Sequence, residues 1–229
     1  MSTPAGSMRP ALPARTFWCL WVGGALAWVL ALALASPVDL PLARACYQPR
    51  GLLARLVARW GEVPAWCLVA LALVVLGGRR RTNLHRWVPL AGALLLLAVL
   101  EPLLITQTLK QLWGRVRFRN LAGDPVGYTP FYLPAGPGAG ESFPSGHVAM
   151  AWVSAVLAFW SSRVARWPAV LLAWLLVLGY GTLVALGRMQ AGAHYLTDCL
   201  FSAGLCLLLG AWLVRRFTAA RWPRAGPAP

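Results

Sequence analysis

Polar residues are rare along this chain and come in clumps. Between the clumps run six apolar segments, roughly 17–35, 64–78, 87–109, 147–162, 167–186 and 195–214. An α-helix rises 1.5 Å per residue, so crossing a ~30 Å hydrocarbon layer takes about 20 residues. Four segments meet that length. The second and fourth are short, and must borrow flanking residues or sit where the bilayer thins. Tryptophans gather near segment ends (Trp60, Trp66, Trp87, Trp113, Trp160, Trp167, Trp212), where interfacial belts form. The pattern predicts an all-α, polytopic membrane bundle of six transmembrane helices over 17–215, with tails at 1–16 and 216–229.

Composition agrees. The chain is 59% hydrophobic and 12% charged, against about 25% charged residues in a soluble domain. The net charge is +15, from 21 basic and 6 acidic residues. Nucleic acid is the usual partner of such a balance. Here the arginines are scattered between apolar spans and build no basic domain, so no nucleic-acid partner is expected. Four of the five cysteines lie inside apolar runs, and none is spaced for metal binding. The reading is of no disulfide framework, no metal and no cofactor.

Arginines in short loops set the orientation. With the N-terminus inside, the inner face holds Arg9, Arg15, Arg79, Arg80, Arg81, Arg86, Arg163, Arg166, Arg215, Arg216, Arg221 and Arg224. The remaining nine basic residues fall outside, five of them in or beside the polar clumps described below. Both termini are therefore expected in the cytoplasm. Ala33-Leu34-Ala35 resembles a signal-peptidase site, but the apolar run before it is longer than a usual signal core. Residues 50–60 interleave Arg55 and Arg59 with leucines and Trp60, as in an interfacial helix or a plain amphipathic connector. The loop 118–143 has no periodicity, and a loop that long between polar clumps is functional or disordered. Its Tyr128, Phe131 and Tyr132 read as a lid over a hydrocarbon chain or as interfacial anchors.

Three clumps carry chemistry. In the first, Lys110, the only lysine, precedes Arg117 by seven residues. On a helix that spacing puts a point charge and a bidentate fork on one face, suited to a phosphate; a snorkelling collar is the alternative. The second is Pro144-Ser145-Gly146-His147. It reads as a capped helix start whose N–H groups could bind phosphate oxygens, with His147 placed to donate a proton, or as an ordinary cap. The third is Arg188, His194 and Asp198. Histidine and aspartate at i and i+4 meet on one helix face. The carboxylate would hold one ring nitrogen and leave the other free to attack, or the pair simply holds a helix end. Arg115 and Arg119 read as snorkelling side chains or as holding a second anion. Glu101, inside the third span, is expected to bond across helices or to gate substrate.

Together, Lys110…Arg117, Pro144-Ser145-Gly146-His147 and Arg188…His194…Asp198 resemble the three signature motifs of the type 2 phosphatidic acid phosphatase (PAP2) superfamily, over about residues 85–215. These membrane lipid phosphatases share a helical core with vanadium haloperoxidases. The resemblance implies a nucleophile in His194, its orienting partner in Asp198, an acid in His147, and a phosphate cradle of Lys110, Arg117, Ser145, Gly146 and Arg188. It further implies a lipid phosphate or pyrophosphate substrate at the outer face of a bacterial inner membrane. The stretch from Arg188 to Asp198 is most similar to lipid A phosphatases. A lipid-to-lipid phosphotransferase, or a non-catalytic lipid-binding or transport protein, are the other readings. Two positions depart from the pattern: Phe118 stands where proline usually follows the arginine, and Gly187 where serine usually precedes Arg188.

Overall fold

Proline and glycine punctuate the helices. The computed structural model describes residue 9 and residues 12–80, 83–121 and 125–219; those residues are helical or irregular, with no strand. Helix α1 (Ala14–Ala35) is apolar on all sides and ends at Ser36-Pro37, where Pro37 has no N–H to continue the ladder. It leads through a short turn into α2 (Asp39–Cys46). Helices α3 (Leu52–Trp60) and α4 (Val63–Gly77) follow, with only Gly61 and Glu62 between them. Proline sits in the first turn of α4, of α5 (Val88–Ala98) and of α9 (Trp167–Gln190), where a missing donor costs nothing.

Helix α5 does not stop at its end. A π-helical turn, Val99–Ile105, carries it into α6 (Thr106–Trp113). Pro102 lies inside that turn; its ring excludes the ordinary i−4 bond, and the wider turn absorbs the mismatch. Glu101, fully buried there, accepts a hydrogen bond from Thr106 Oγ1 at 3.2 Å. Its strongest partner is thus on its own rod. The contact across helices is the Cys206 thiol.

Among the described residues, five helical stretches are long and apolar enough to cross a membrane: Ala14–Cys46, Leu52–Gly77, His85–Asn120, Trp167–Gln190 and Leu196–Thr218. The fourth predicted segment is jointed instead. It forms α7 (Gly146–Trp152) and α8 (Ala155–Val164), broken at Val153-Ser154. It is also the most enclosed, with Val148, Ala149, Ala151, Val153, Ala155 and Val156 all at 0% exposure. Helix α7 packs on α9 and on α10 (Leu196–Ala219), and α8 on the same two. A segment shielded from lipid by its neighbours need not span by itself. The C-terminal tail expected from 216 is helical as far as Ala219; Arg81, Arg221 and Arg224 lie outside the described residues.

Within the stretch 50–60, Leu52–Trp60 form α3, which together with α4 makes one stretch of membrane-spanning length. Helix α3 buries Ala54 and Val57 against α9, and Tyr180 Oη of α9 donates to the Gly61 carbonyl at 2.7 Å. The close approach explains Gly187: a Cβ there would stand 2.5–3.0 Å from the Val57 side chain, so a serine would push α3 away.

One end of the bundle joins Arg9, Leu12, Arg163 and Arg215. Arg9 N–H donates to the Arg163 carbonyl (2.7 Å), and Arg215 Nη1 to the Leu12 carbonyl (2.8 Å). The polar clumps gather at the other end. There Gly114, in the left-handed conformation (φ 69°), ends α6 and turns the chain inward. A side chain on Gly114 would overlap the Gly136 carbonyl.

Candidate active site

That inward turn drives Arg115 into the core. Its side chain is fully buried, which corrects the expectation of a snorkelling arginine. All five N–H groups find acceptors. Nε donates to the Thr129 carbonyl (2.9 Å), Nη1 to Thr197 Oγ1 (2.9 Å) and Asp198 Oδ1 (2.5 Å), and Nη2 to Asp39 Oδ2 (2.9 Å) and the Tyr128 hydroxyl (3.4 Å). The guanidinium lies 4.1 Å from the Tyr195 ring centroid. Thr197 N–H donates to Asp39 Oδ1 at 2.9 Å, and its hydroxyl donates to Asp39 Oδ2. Arg115 thus ties α2 to α10. One cation between two carboxylates leaves the group with a formal charge of −1.

Asp198 is the inner carboxylate. Its Oδ2 accepts from Ser142 Oγ at 2.6 Å and from Tyr195 N–H at 2.9 Å. His194 Nδ1 stands 3.8 Å from that oxygen but 2.6 Å from the Ser142 carbonyl. At 3.8 Å there is no hydrogen bond, so the direct carboxylate–imidazole bond expected from the i, i+4 spacing is replaced. Nδ1–H donates to the backbone of Ser142, and Asp198 holds the hydroxyl of the same residue. The ring keeps Nε2 as its free nitrogen. His194 is 1% exposed. Burial first, then the nearby Arg188 and Lys110 cations, pull its proton affinity down to about 4, against the opposing contact with Asp198. The ring is neutral at pH 7.

The cations come from two rods. Lys110 lies on α6, Arg188 in the last turn of α9, and Arg117 just past α6. Lys110 feels the charges of Arg117 and Arg188, and Arg188 those of Arg117 and Arg119. Two acids lie among them: Glu141, which pairs with Arg117 at 3.1 Å, and Glu62, whose charge reaches Lys110 and Arg188. Arg188 is 8% exposed, and its Nε has no acceptor. Ser145, the N-cap of α7, is buried with a hydroxyl that meets no acceptor stronger than the Cys199 thiol. Gly146 opens the helix beside these groups. A methyl there would stand 3.8 Å from Lys110 Nζ and 3.9 Å from Gln107 Nε2. Unpartnered buried donors beside clustered cations make a place for an oxyanion. His147 Nδ1 is 2.9 Å from Glu62 Oε1. The eight predicted residues therefore gather at one end of the bundle, although they come from four helices.

Asp39, Glu62, Gln107, Arg115 and Ser142 were not among the predicted site residues. Asp39 and Glu62 are two of only six acids in the chain, a signal of the kind that singled out Lys110. Ser142 acts through its backbone carbonyl, which no side-chain pattern reveals. Of the two departures, Gly187 is the close α3–α9 contact. Phe118 joins an aromatic cluster, edge-on to Tyr47 at 5.2 Å and to Tyr195 at 6.4 Å. Among the described residues, no three His, Cys, Asp or Glu side chains gather as metal ligands would.

A helical bundle of membrane-spanning length, with a buried imidazole facing clustered cations at one end, defines a membrane enzyme of phosphate chemistry. The PAP2 superfamily model matches residues 90–222; the chain belongs to the PAP2 superfamily. Membership points to phosphatase activity on phosphate esters. No curated protein and no solved structure matches the chain.

Proposed function

We propose that this protein hydrolyses a phosphate monoester or pyrophosphate carried by a lipid, at the outer face of a bacterial cytoplasmic membrane, through a phosphohistidine. His194 Nε2 attacks phosphorus as the bond to the leaving oxygen breaks. His147 gives that oxygen its proton. His147 then takes a proton from water, the water oxygen attacks phosphorus, and the P–N electrons return to Nε2. Lys110, Arg117, Arg188, Ser145 and the Gly146 N–H hold the oxygens that gain charge on the way. Asp198 steadies the cationic phosphohistidine.

The observation that carries this reading is the Nδ1–H bond of His194 to the Ser142 carbonyl. It fixes the tautomer, so that a neutral, buried Nε2 is available beside Arg188 and Lys110. A lipid substrate is supported by an apolar cavity of about 830 Å³ between α1, α2, α10 and the 128–132 loop. Two of its wall residues, Phe131 and Phe201, pack on Phe143, beside Pro144. Lipid A phosphate, undecaprenyl pyrophosphate and phosphatidylglycerol phosphate are the candidates.

The test is purified protein with a panel of phospholipid, isoprenoid and lipid A phosphates, and mass analysis of both products. Quenching in alkali, where a phosphohistidine survives, should trap a labelled protein. His194→Ala should give neither label nor product while remaining folded. Turnover by that variant would remove the nucleophile from this scheme.

A further inference from the structure

Glu62 is the residue before α4, in the turn that joins α3 to α4. This helix pair carries none of the three motifs. Yet Glu62 Oε1 lies 2.9 Å from His147 Nδ1, and Oε2 accepts a hydrogen bond from Trp66 Nε1 at 3.3 Å. Its backbone is pinned at and just before the residue. Trp66 N–H donates to the Glu62 carbonyl (3.0 Å), and Tyr180 Oη to the Gly61 carbonyl (2.7 Å). The pair is neither open nor sealed, with side chains 26% and 30% exposed. The charges that reach Glu62 besides His147 are cradle cations, Arg188 and Lys110. A carboxylate inside a spanning stretch is costly unless it has work there, and its shorter side-chain contact is the ring of His147.

We propose that Glu62 is the positioning residue of His147. The inference rests on the reading of His147 as the acid of the reaction. Glu62 accepts the Nδ1 proton, fixes the plane and tautomer of the ring, and leaves Nε2 as the nitrogen that faces the leaving oxygen. In the first half-reaction the Nε2 proton passes to that oxygen as its bond to phosphorus breaks; the Nδ1 proton stays on the ring, held by Glu62. In the second half-reaction Nε2 takes a proton from the attacking water. The site then has two histidines, each held through Nδ1. His194 is held by a neutral backbone carbonyl and stays a base. His147 is held by a carboxylate, Glu62 Oε1 at 2.9 Å.

The test exploits leaving-group chemistry. Because kcat/KM reports the steps up to departure of the leaving group, an acid matters most for an alkyl phosphate and little for a 4-nitrophenyl ester. Wild type, Glu62→Gln, Glu62→Asp and His147→Ala are assayed on a single-chain alkyl phosphate and on 4-nitrophenyl phosphate. A general acid contributes about 100-fold or more, so His147→Ala should lose that much on the alkyl ester and far less on the aryl ester. Glu62→Gln should lose about tenfold of that contribution on the alkyl ester alone, with inhibition by vanadate unchanged. Glu62→Asp, which keeps the charge, should recover part of the loss. Equal losses on both esters for Glu62→Gln, or no loss, overturn the inference while His147→Ala still shows its leaving-group dependence. If His147→Ala shows no such dependence, the acid reading falls and this inference with it.

Discussion

Replacing Arg115 by methionine keeps the length of the side chain and removes its charge. Asp39 and Asp198 would then face each other, both buried at 0% exposure, with no cation between them. Removing one partner of a buried ion pair costs about 3–5 kcal/mol, because the other charge is left uncompensated. Here two are left, so the upper half of that range is expected. Asp39→Asn is milder by the same bookkeeping. It leaves Arg115 and Asp198 as a one-to-one pair and loses only the charge-assisted share of the bonds to Arg115 and Thr197, about 1–2 kcal/mol. The double variant should cost less than the two single losses added together, since Asp39→Asn removes the like-charge repulsion that Arg115→Met creates. In a domain of this size 1 kcal/mol moves Tm by about 2–4 °C. Arg115→Met should therefore melt roughly 8–20 °C below wild type, and Asp39→Asn only a few degrees below. A thiol-reactive fluorophore in detergent reports the transition, because Cys199 and Cys206 are buried while Cys19 and Cys67 label at once. If Arg115→Met melts within 3 °C of wild type, or Asp39→Asn is the more damaging, the charge accounting is wrong.

Two further outcomes follow from the same packing. The proton affinity of His194 is lowered in the fold to about 4, against about 6.5 in an unfolded chain. Its neutral form thus adds stability that is complete above pH 6.5 and is lost as the pH falls towards 4, on the order of 3 kcal/mol in all. Chemical unfolding in detergent at pH 7 and pH 4.5 should show this slope, and His194→Gln should flatten it; an equal slope in the variant would refute the burial argument. Gly187→Ser should destabilise by about 1–3 kcal/mol, the usual cost of overpacking, and the second change Val57→Ala should recover part of that loss. Thermal melts of the pair check this.

The outer architecture was legible because uninterrupted apolar runs have few fates other than a span. The fourth run was legible as a helix but not as a jointed one, since the break at Val153-Ser154 has neither proline nor glycine to announce it. Residues 50–60 left two readings open because Arg55 and Arg59 beside exposed Leu52, Leu56 and Trp60 suit an interfacial helix and a connector alike, and the pattern does not reveal the packing of Ala54 and Val57 on α9. Lys110, His147, His194 and Asp198 could be placed because each is a scarce residue type near a helix end. Their supports could not. Asp39 lies 76 positions from Arg115, and Arg115 lies 83 from Asp198. Such a triad exists only once α2, the turn after α6 and the start of α10 have met.

The two histidine supports place their charges differently, and that difference bears on how the proposed cycle holds an acid and a base in one site. A carboxylate in direct contact with a ring stabilises its doubly protonated form strongly. Held that way, a buried nucleophile would spend more of its time protonated and unable to attack. At His194 the direct contact is a carbonyl dipole instead, and the nearest carboxylate oxygen stands back at 3.8 Å, with its charge shared among Arg115, Ser142 and the Tyr195 N–H. In the proposed cycle the imidazole becomes cationic only when phosphorus bonds to Nε2. A negative group one shell away then stabilises that cation without having attracted a proton beforehand. Interposing Ser142 between Asp198 and His194 thus separates holding the ring from charging it, whereas at His147 the Glu62 carboxylate contacts the ring directly, at 2.9 Å.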